Sequence, residues 1–402
     1  MISKSFSPWP CFSKEEVRSV SNVLNSNKVN YWTGSEGKAF ETEFASFADC
    51  SYAIALANGT VAIELALKAL GIKKGDEVIV TSRTFIASVS SIINSGGTPV
   101  FADVEINSQN ISAGSITKVL SRKTKAILCV HLGGWPCDMD PIMNLARKNN
   151  LFVIEDCAQA HGAKYKGKSV GSIGDIGCWS FCQDKIMTTG GEGGMVTCND
   201  ESLWRKMWAY KDHGKSYNAV YEIDHPPGFK WLHESFGTNL RMTEMQAAIG
   251  RIQLKRMPKW HRIRLQYANK IWNMASNIQA LRAPSLSCSS CDNNCDFSDG
   301  CEHAAYKCYI FVKQDQLKEY WNRDRISKEI NALGVPCFSG SCSEVYLEKA
   351  FDKTVFKPTE RLSIAKELGE ASLMFLVHPT LKKSEIQLTC EAISTVMKLA
   401  SK

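Results

Sequence analysis

Between residues 50 and 200, short apolar runs alternate with longer stretches whose apolar side chains recur at helical spacing. The runs at 76–82, 98–104, 125–131, 151–156, 178–181 and 194–198 are rich in β-branched residues and mostly apolar. That is the pattern of strands covered on both faces. Residues 60–70 (TVAIELALKAL) repeat apolar positions at helical spacing and stop before Gly71, and 140–148 do the same. Strand and helix in alternation predict an α/β domain with a largely parallel sheet. Beyond about residue 240 the pattern changes. Residues 242–254 and 262–278 predict two long helices. A loop rich in Ser, Cys, Asp and Asn, a strand at 306–312 and helices at 327–333 and 383–400 follow. The expected organisation is an N-terminal arm with a large domain over 1–255, then a smaller α/β domain over 256–402 with a Cys-rich loop at 284–301.

The length of 402 residues suits two or three domains. Hydrophobic residues make up 44% and charged residues 22%, the balance of a soluble globular chain. No apolar run approaches the ~18–20 residues that cross a bilayer. The N-terminus, Met1 to Phe6, has neither a long apolar stretch nor a small-residue cleavage site, so a cytoplasmic protein with no membrane partner is expected. The net charge of +7 suits a small anionic ligand. It is too diffuse for a nucleic-acid surface.

Three segments carry candidate chemistry. Asn58-Gly59-Thr60 lies between an apolar run and a helix. Free N–H groups at such a helix start favour phosphate, although the same residues make an ordinary capping turn with Thr60 as the cap. Asp156 ends a strand, where open α/β sheets place their ligands. A carboxylate there can pair with a protonated pyridine nitrogen or cap a helix. Lys185 follows the buried run 178–181 and precedes a Gly-rich stretch, 190–194. That position suits a Schiff-base lysine, or equally a surface lysine before a loop.

In chain order these segments resemble one known group. The stretches ANGTVAIELAL (57–67), GDEVIV (75–80), TFIAS (84–88), HLGGWPCDMD (131–140), VIEDCAQAHGA (153–163), GDIGCWSFCQDKIMTTGGEGG (174–194) and GTNLRMTEMQAAIGRIQL (237–254) are similar to the DegT/StrS-type sugar-nucleotide aminotransferases. These belong to the aspartate-aminotransferase superfamily of fold type I. The resemblance implies a large domain that binds pyridoxal 5′-phosphate (PLP) on a mainly parallel seven-stranded sheet, with a smaller C-terminal α/β domain. It implies Lys185 as the Schiff-base lysine and proton shuttle, Asp156 on the pyridine nitrogen, and Gln159 on the phenolic oxygen. It implies Phe85 stacking on the ring, and Gly59, Thr60 and Ser180 holding the phosphate. It further implies that Asn239 reaches that phosphate from the partner subunit, so that a homodimer would share its active sites. The implied reaction passes through pyridoxamine 5′-phosphate. It moves an amino group from an amino acid, L-glutamate, to a nucleotide-linked keto sugar, a 4-keto-6-deoxy hexose, for polysaccharide or glycan biosynthesis.

The alternatives are a 3-keto sugar, a cyclitol ketone, or a dehydratase. Dehydratase relatives carry histidine at the lysine, and this chain has Lys185. A binding protein of the same fold without turnover would lack Lys185 or Asp156, and both are present.

Some features stand apart from the common pattern. Gly190-Gly191 before Glu192 is one glycine more than the commonest form. His303 and Tyr306, in EHAAYKCYIFV, are candidate sugar contacts, or else a surface histidine and a packed tyrosine on a strand. Arg241 is a candidate partner for an anion or for a structural carboxylate. Residues 31–34 and 213–231 are candidates for substrate choice. His131, His161 and His378 are not needed as bases. Of sixteen cysteines, Cys288, Cys291, Cys295 and Cys301 cluster as a zinc candidate, tighter than a zinc ribbon. A zinc-organised interaction module would account for this loop alone, and the catalytic reading requires no metal.

Overall fold

The computed structural model describes residues 6–284 and 300–402. Its first strands are β1 (Tyr52–Leu56), β2 (Glu77–Thr81), β3 (Thr98–Ala102), β4 (Thr124–Val130) and β5 (Phe152–Asp156). A small hairpin of β6 (Lys164–Tyr165) and β7 (Lys168–Ser169) precedes β8 (Ile176–Ser180) and β9 (Gly194–Cys198). All but the hairpin join in one seven-stranded sheet of order β1-β9-β8-β5-β4-β2-β3. The pairs from β3 through β8 are parallel, and β9 alone runs antiparallel to its neighbours β8 and β1.

The strand runs are continuous in apolar residues because both faces are covered. Val78 and Val80 of β2 pack into one core while Ile79 between them packs into another. Six strands share one direction, so the C-terminal ends of β1, β2, β4, β5 and β8 gather on one edge. The chain leaves that edge at residues 57–60, 82–87, 131–135, 157–163 and 181–193. Asn58-Gly59-Thr60, Asp156, Lys185 and the glycines at 190–194 all lie at this edge.

Beyond this sheet, β10 (Leu281–Arg282), β11 (Cys308–Val312), β12 (Cys337–Phe338) and β13 (Ser372–Phe375) form an antiparallel sheet of order β10-β11-β13-β12. Ile326, Ile330, Ile393 and Val396 of the helices Arg323–Ala332 and Lys383–Ala400 share a core with Ile310 and Leu373 of that sheet. Where the sequence pattern predicts two helices around Pro258, there is one, Glu244–Ser276, of 33 residues. Proline removes one N–H bond and costs about 3 kcal/mol in a helix interior. Burial on both sides of it, by Leu254 and Met257 before and Tyr267 and Ile271 after, keeps the helix continuous. The boundary expected at 255/256 falls inside it. Among the described residues no helix is long and apolar enough to cross a membrane.

Candidate active site

Asp156 ends β5, opposite Val130 of β4 and Cys178 of β8. Its carboxylate is buried. It accepts from Ser88 Oγ at 2.8 Å and from the Ala158 N–H at 3.1 Å. Burial holds the carboxyl above its ordinary range, although Ser88, Ala158, Lys185 and His131 all pull it down. No helix starts here, so the helix-cap alternative falls. Gln159 lies one turn on, with its carboxamide oxygen accepting from the Gly133 N–H at 2.8 Å. Its NH2 is left to donate.

The helix Gly59–Ala69 is capped by Asn58, whose Oδ1 accepts from the Val61 N–H at 3.0 Å. The cap is therefore Asn58 and not Thr60. Among the described residues the N–H groups of Gly59 and Thr60 have no partner. Leu56 of β1 and Ser180 of β8 both pair with Gly194 of β9. This brings the helix start against Ser180: a Cβ on Gly59 would lie 2.6 Å from the Ser180 Cβ.

Lys185 is half-buried in the connection from β8 to β9. Its N–H donates to the Cys182 carbonyl at 3.1 Å, and its carbonyl accepts from the Trp9 indole at 2.9 Å. Its Nζ lies 5.4 Å from the centroid of the Tyr306 ring. Tyr306 is buried and its hydroxyl donates to the Asp184 carboxylate. Burial raises the Asp184 carboxyl, but Lys185, Tyr306 and Lys307 bring it below its usual range. Phe85 is 66% exposed while its neighbours Arg83 and Thr84 are buried, which leaves an aromatic ring uncovered beside Ser88.

The remaining candidates divide. Arg241 pairs with the buried Asp212 at 2.6 Å and bridges to Leu56, which is the structural ion pair. Asn239 is exposed beside it, its Oδ1 accepting from the Arg241 N–H at 3.3 Å. His303 is packed between Trp135 and Trp272, with Nδ1 accepting from the Ala305 N–H. Burial pushes it down to about 3, so its ring serves the core. The segments 31–34 and 213–231 meet: Lys215 Nζ lies 4.0 Å over the Trp32 ring. Lys211, just before, lies 3.4 Å over Tyr31.

His161 is buried against Trp179 and Phe181, and burial drives it down to about 3. His378 stacks on Trp9. His131 gathers with Glu155 and Cys157, but both ring nitrogens are used, by Glu155 and by the Cys137 N–H. No lone pair is left there for a metal. Cys288, Cys291 and Cys295 lie outside the described residues. Cys301 is buried, its sulfur accepting from the Lys166 N–H at 3.3 Å.

Ser88, Trp9, Asp184 and Lys307 were not singled out by the sequence. Ser88 and Asp184 sit inside the matching stretches, so proximity to a motif was the available signal. Nothing local marks Trp9 or Lys307.

The model of the DegT/DnrJ/EryC1/StrS aminotransferase family matches residues 10–394. The solved structure of an aminotransferase from Psychrobacter cryohalolentis is 64% identical, with a TM-score of 0.95 over 98% of this chain and 99% of that one. The GDP-perosamine synthase of Escherichia coli O157:H7 is 45% identical over 61% of this chain and 64% of its own length. A dTDP-3-amino-3,6-dideoxy-alpha-D-galactopyranose transaminase of Aneurinibacillus thermoaerophilus is 31% identical over 95% of both chains. The chain spans less than two thirds of the length of the first curated relatives it matches.

Proposed function

The chain belongs to the DegT/DnrJ/EryC1/StrS aminotransferase family, and on that premise we propose that it moves an amino group from L-glutamate to a nucleotide-linked keto sugar, a 4-keto-6-deoxy hexose, for polysaccharide or glycan biosynthesis. Enzymes of this family work with PLP. The observation that carries the reading is the meeting, on one sheet edge, of Lys185, the buried Asp156 and the open helix start at Gly59.

The edge fits PLP. Asp156 is a buried carboxylate that no cation pairs among the described residues, so a protonated pyridine nitrogen is its natural complement. The unpartnered N–H groups of Gly59 and Thr60, with the Ser180 hydroxyl beside them, make an anion seat for the phosphate. Gln159 has an NH2 free for the phenolic oxygen, and Phe85 has a bare face for the ring. Asn239 is exposed and free to reach the phosphate in a second copy of the chain.

PLP, when bound, supplies an electron sink for the bond broken at the substrate carbon. Lys185 Nζ anchors the cofactor and carries the proton between the cofactor and the sugar carbon. A positioned acid–base group of this kind contributes ~10²–10⁴-fold in rate. Asp184 stays ionised beside it. Tyr306, held neutral by burial and by Asp184, donates its hydroxyl and walls the sugar side.

A second reading, amination at C3, draws on the relative named for a 3-amino sugar. Lys185 favours transamination over dehydration.

The test is an absorbance spectrum of the wild type and of Lys185→Ala, before and after L-glutamate. A visible band in the wild type, moved to the near ultraviolet by L-glutamate and missing in Lys185→Ala, is expected. The product of a 4-keto sugar nucleotide, read by NMR, then decides C4 or C3. A wild type without the visible band after PLP is supplied sinks the reading.

A further inference from the structure

Two cations on the small-sheet side of the site have no part in the chemistry above. Lys307 immediately precedes β11, and its Nζ lies 4.9 Å from the centroid of the same Tyr306 ring that Lys185 overlies. Arg264 comes from the middle of the long helix and is 1% exposed. Its Nη1 donates to the Tyr306 carbonyl at 3.3 Å, and its guanidinium lies 5.0 Å over the Trp9 ring. Its Nε and Nη2 are buried with no hydrogen-bond partner among the described residues. Among the described residues neither cation has a carboxylate at ion-pair distance. Asp184 is already bonded to Tyr306. A buried guanidinium with two unmet donors is unfavourable unless an anion completes it.

We propose that Lys307 and Arg264 form the subsite that holds a carboxylate of the dicarboxylic amino donor, L-glutamate, and of the keto acid it becomes. This rests on the aminotransferase reading. The donor must be seated against Lys185 and must then leave, so its partners stand unpaired in the resting chain. Arg264 offers the planar fork that matches a carboxylate, and the half-buried Lys307 offers a point charge beside it. Burial moves Lys307 down to about 8 and Arg264 to about 9. An arriving carboxylate reverses that effect.

The experiment measures glutarate, a dicarboxylate with neither amino nor keto group, binding to the PLP-loaded protein by calorimetry. Lys307→Met is expected to weaken glutarate by about tenfold or more, and Lys307→Arg to restore it. In the half-reaction, the KM for L-glutamate rises in Lys307→Met by a similar factor while the limiting rate changes by less than about threefold. Asp184, Lys185, Arg264, Tyr306 and His378 are charged or titratable groups that face Lys307. Against them, wild-type affinity falls as pH rises through about 8, because Lys307 then loses its proton. Lys307→Arg moves the fall above about 8, since only Arg264 then titrates, at about 9.

Arg264→Lys is the second variant, and it too is expected to weaken glutarate. If the wild type reacts with L-glutamate while Lys307→Met and Arg264→Lys both bind glutarate within about twofold of it, this proposal fails alone. A wild type that gives no half-reaction with L-glutamate removes the aminotransferase reading and this proposal together.

Discussion

At the sheet edge the polar side chains of the site are held by the protein itself. Asp156 accepts from Ser88 and Ala158, and Gln159 accepts from Gly133. On the facing wall, two buried nitrogens of Arg264 have no such partner among the described residues. The first arrangement suits a group that stays bound through many turnovers, since its contacts are fixed in advance. The second suits a ligand that enters and leaves.

The largest effect that separates the two walls comes from Asp156→Asn. With PLP absent, burial keeps the Asp156 carboxyl above its unfolded value. Ionising it therefore costs stability. That cost is absent below the unfolded value near ~4 and grows as pH rises through the folded value. In PLP-free protein at neutral pH the variant is expected to melt no lower than the wild type, while its PLP affinity falls by about 10²-fold. Calorimetry on the PLP-free form and a PLP titration check the two halves. A variant that melts well below the wild type would make Asp156 a scaffold residue.

How much of this was legible in the sequence follows the same division. Residues at the sheet edge could be read because each follows its own strand within a few positions: Gly59 after β1, Asp156 at the end of β5, Lys185 after β8. The strand fixes their placement. The facing wall could not, because its geometry is assembled from distant chain. Arg264 looks like one more polar residue of an amphipathic helix, and Trp9 reaches Lys185 across 176 positions. The two helices read at 242–254 and 262–278 are one, because packing on both sides overrides Pro258 between them. Arg241 read equally as a ligand contact or an ion pair, and only its neighbour Asp212 decides between them. His303 read equally as a sugar contact or a surface histidine, and the two tryptophans that enclose it come from distant parts of the chain.

A smaller effect tests the sheet edge alone. Gly59→Ala forces a Cβ against Ser180 and is expected to cost about 1–3 kcal/mol in urea unfolding. Adding Ser180→Gly should return the stability but not the phosphate affinity. Equal recovery of both would take the phosphate seat away from this corner.

The smallest effect concerns His303. Its ring stays neutral through the physiological range because burial holds it near 3. Its contribution to stability is present above the unfolded value of ~6.5 and is lost as pH falls below it. NMR titration between pH 5 and 9, roughly the span about that unfolded value, should find no inflection from this ring. One within that span would return His303 to the list of sugar contacts.

The helix Glu244–Ser276 lends Ala247, Leu254 and Met257 to a core against the large sheet and Tyr267, Ile271 and Trp272 to the core of the small one. Melting either core strips the apolar stripe from one end of a rod about 50 Å long. The lost turns take with them the frame on which the other end is wound. The two sheets are thereby bound into one cooperative folding unit, and the chain should lose both together.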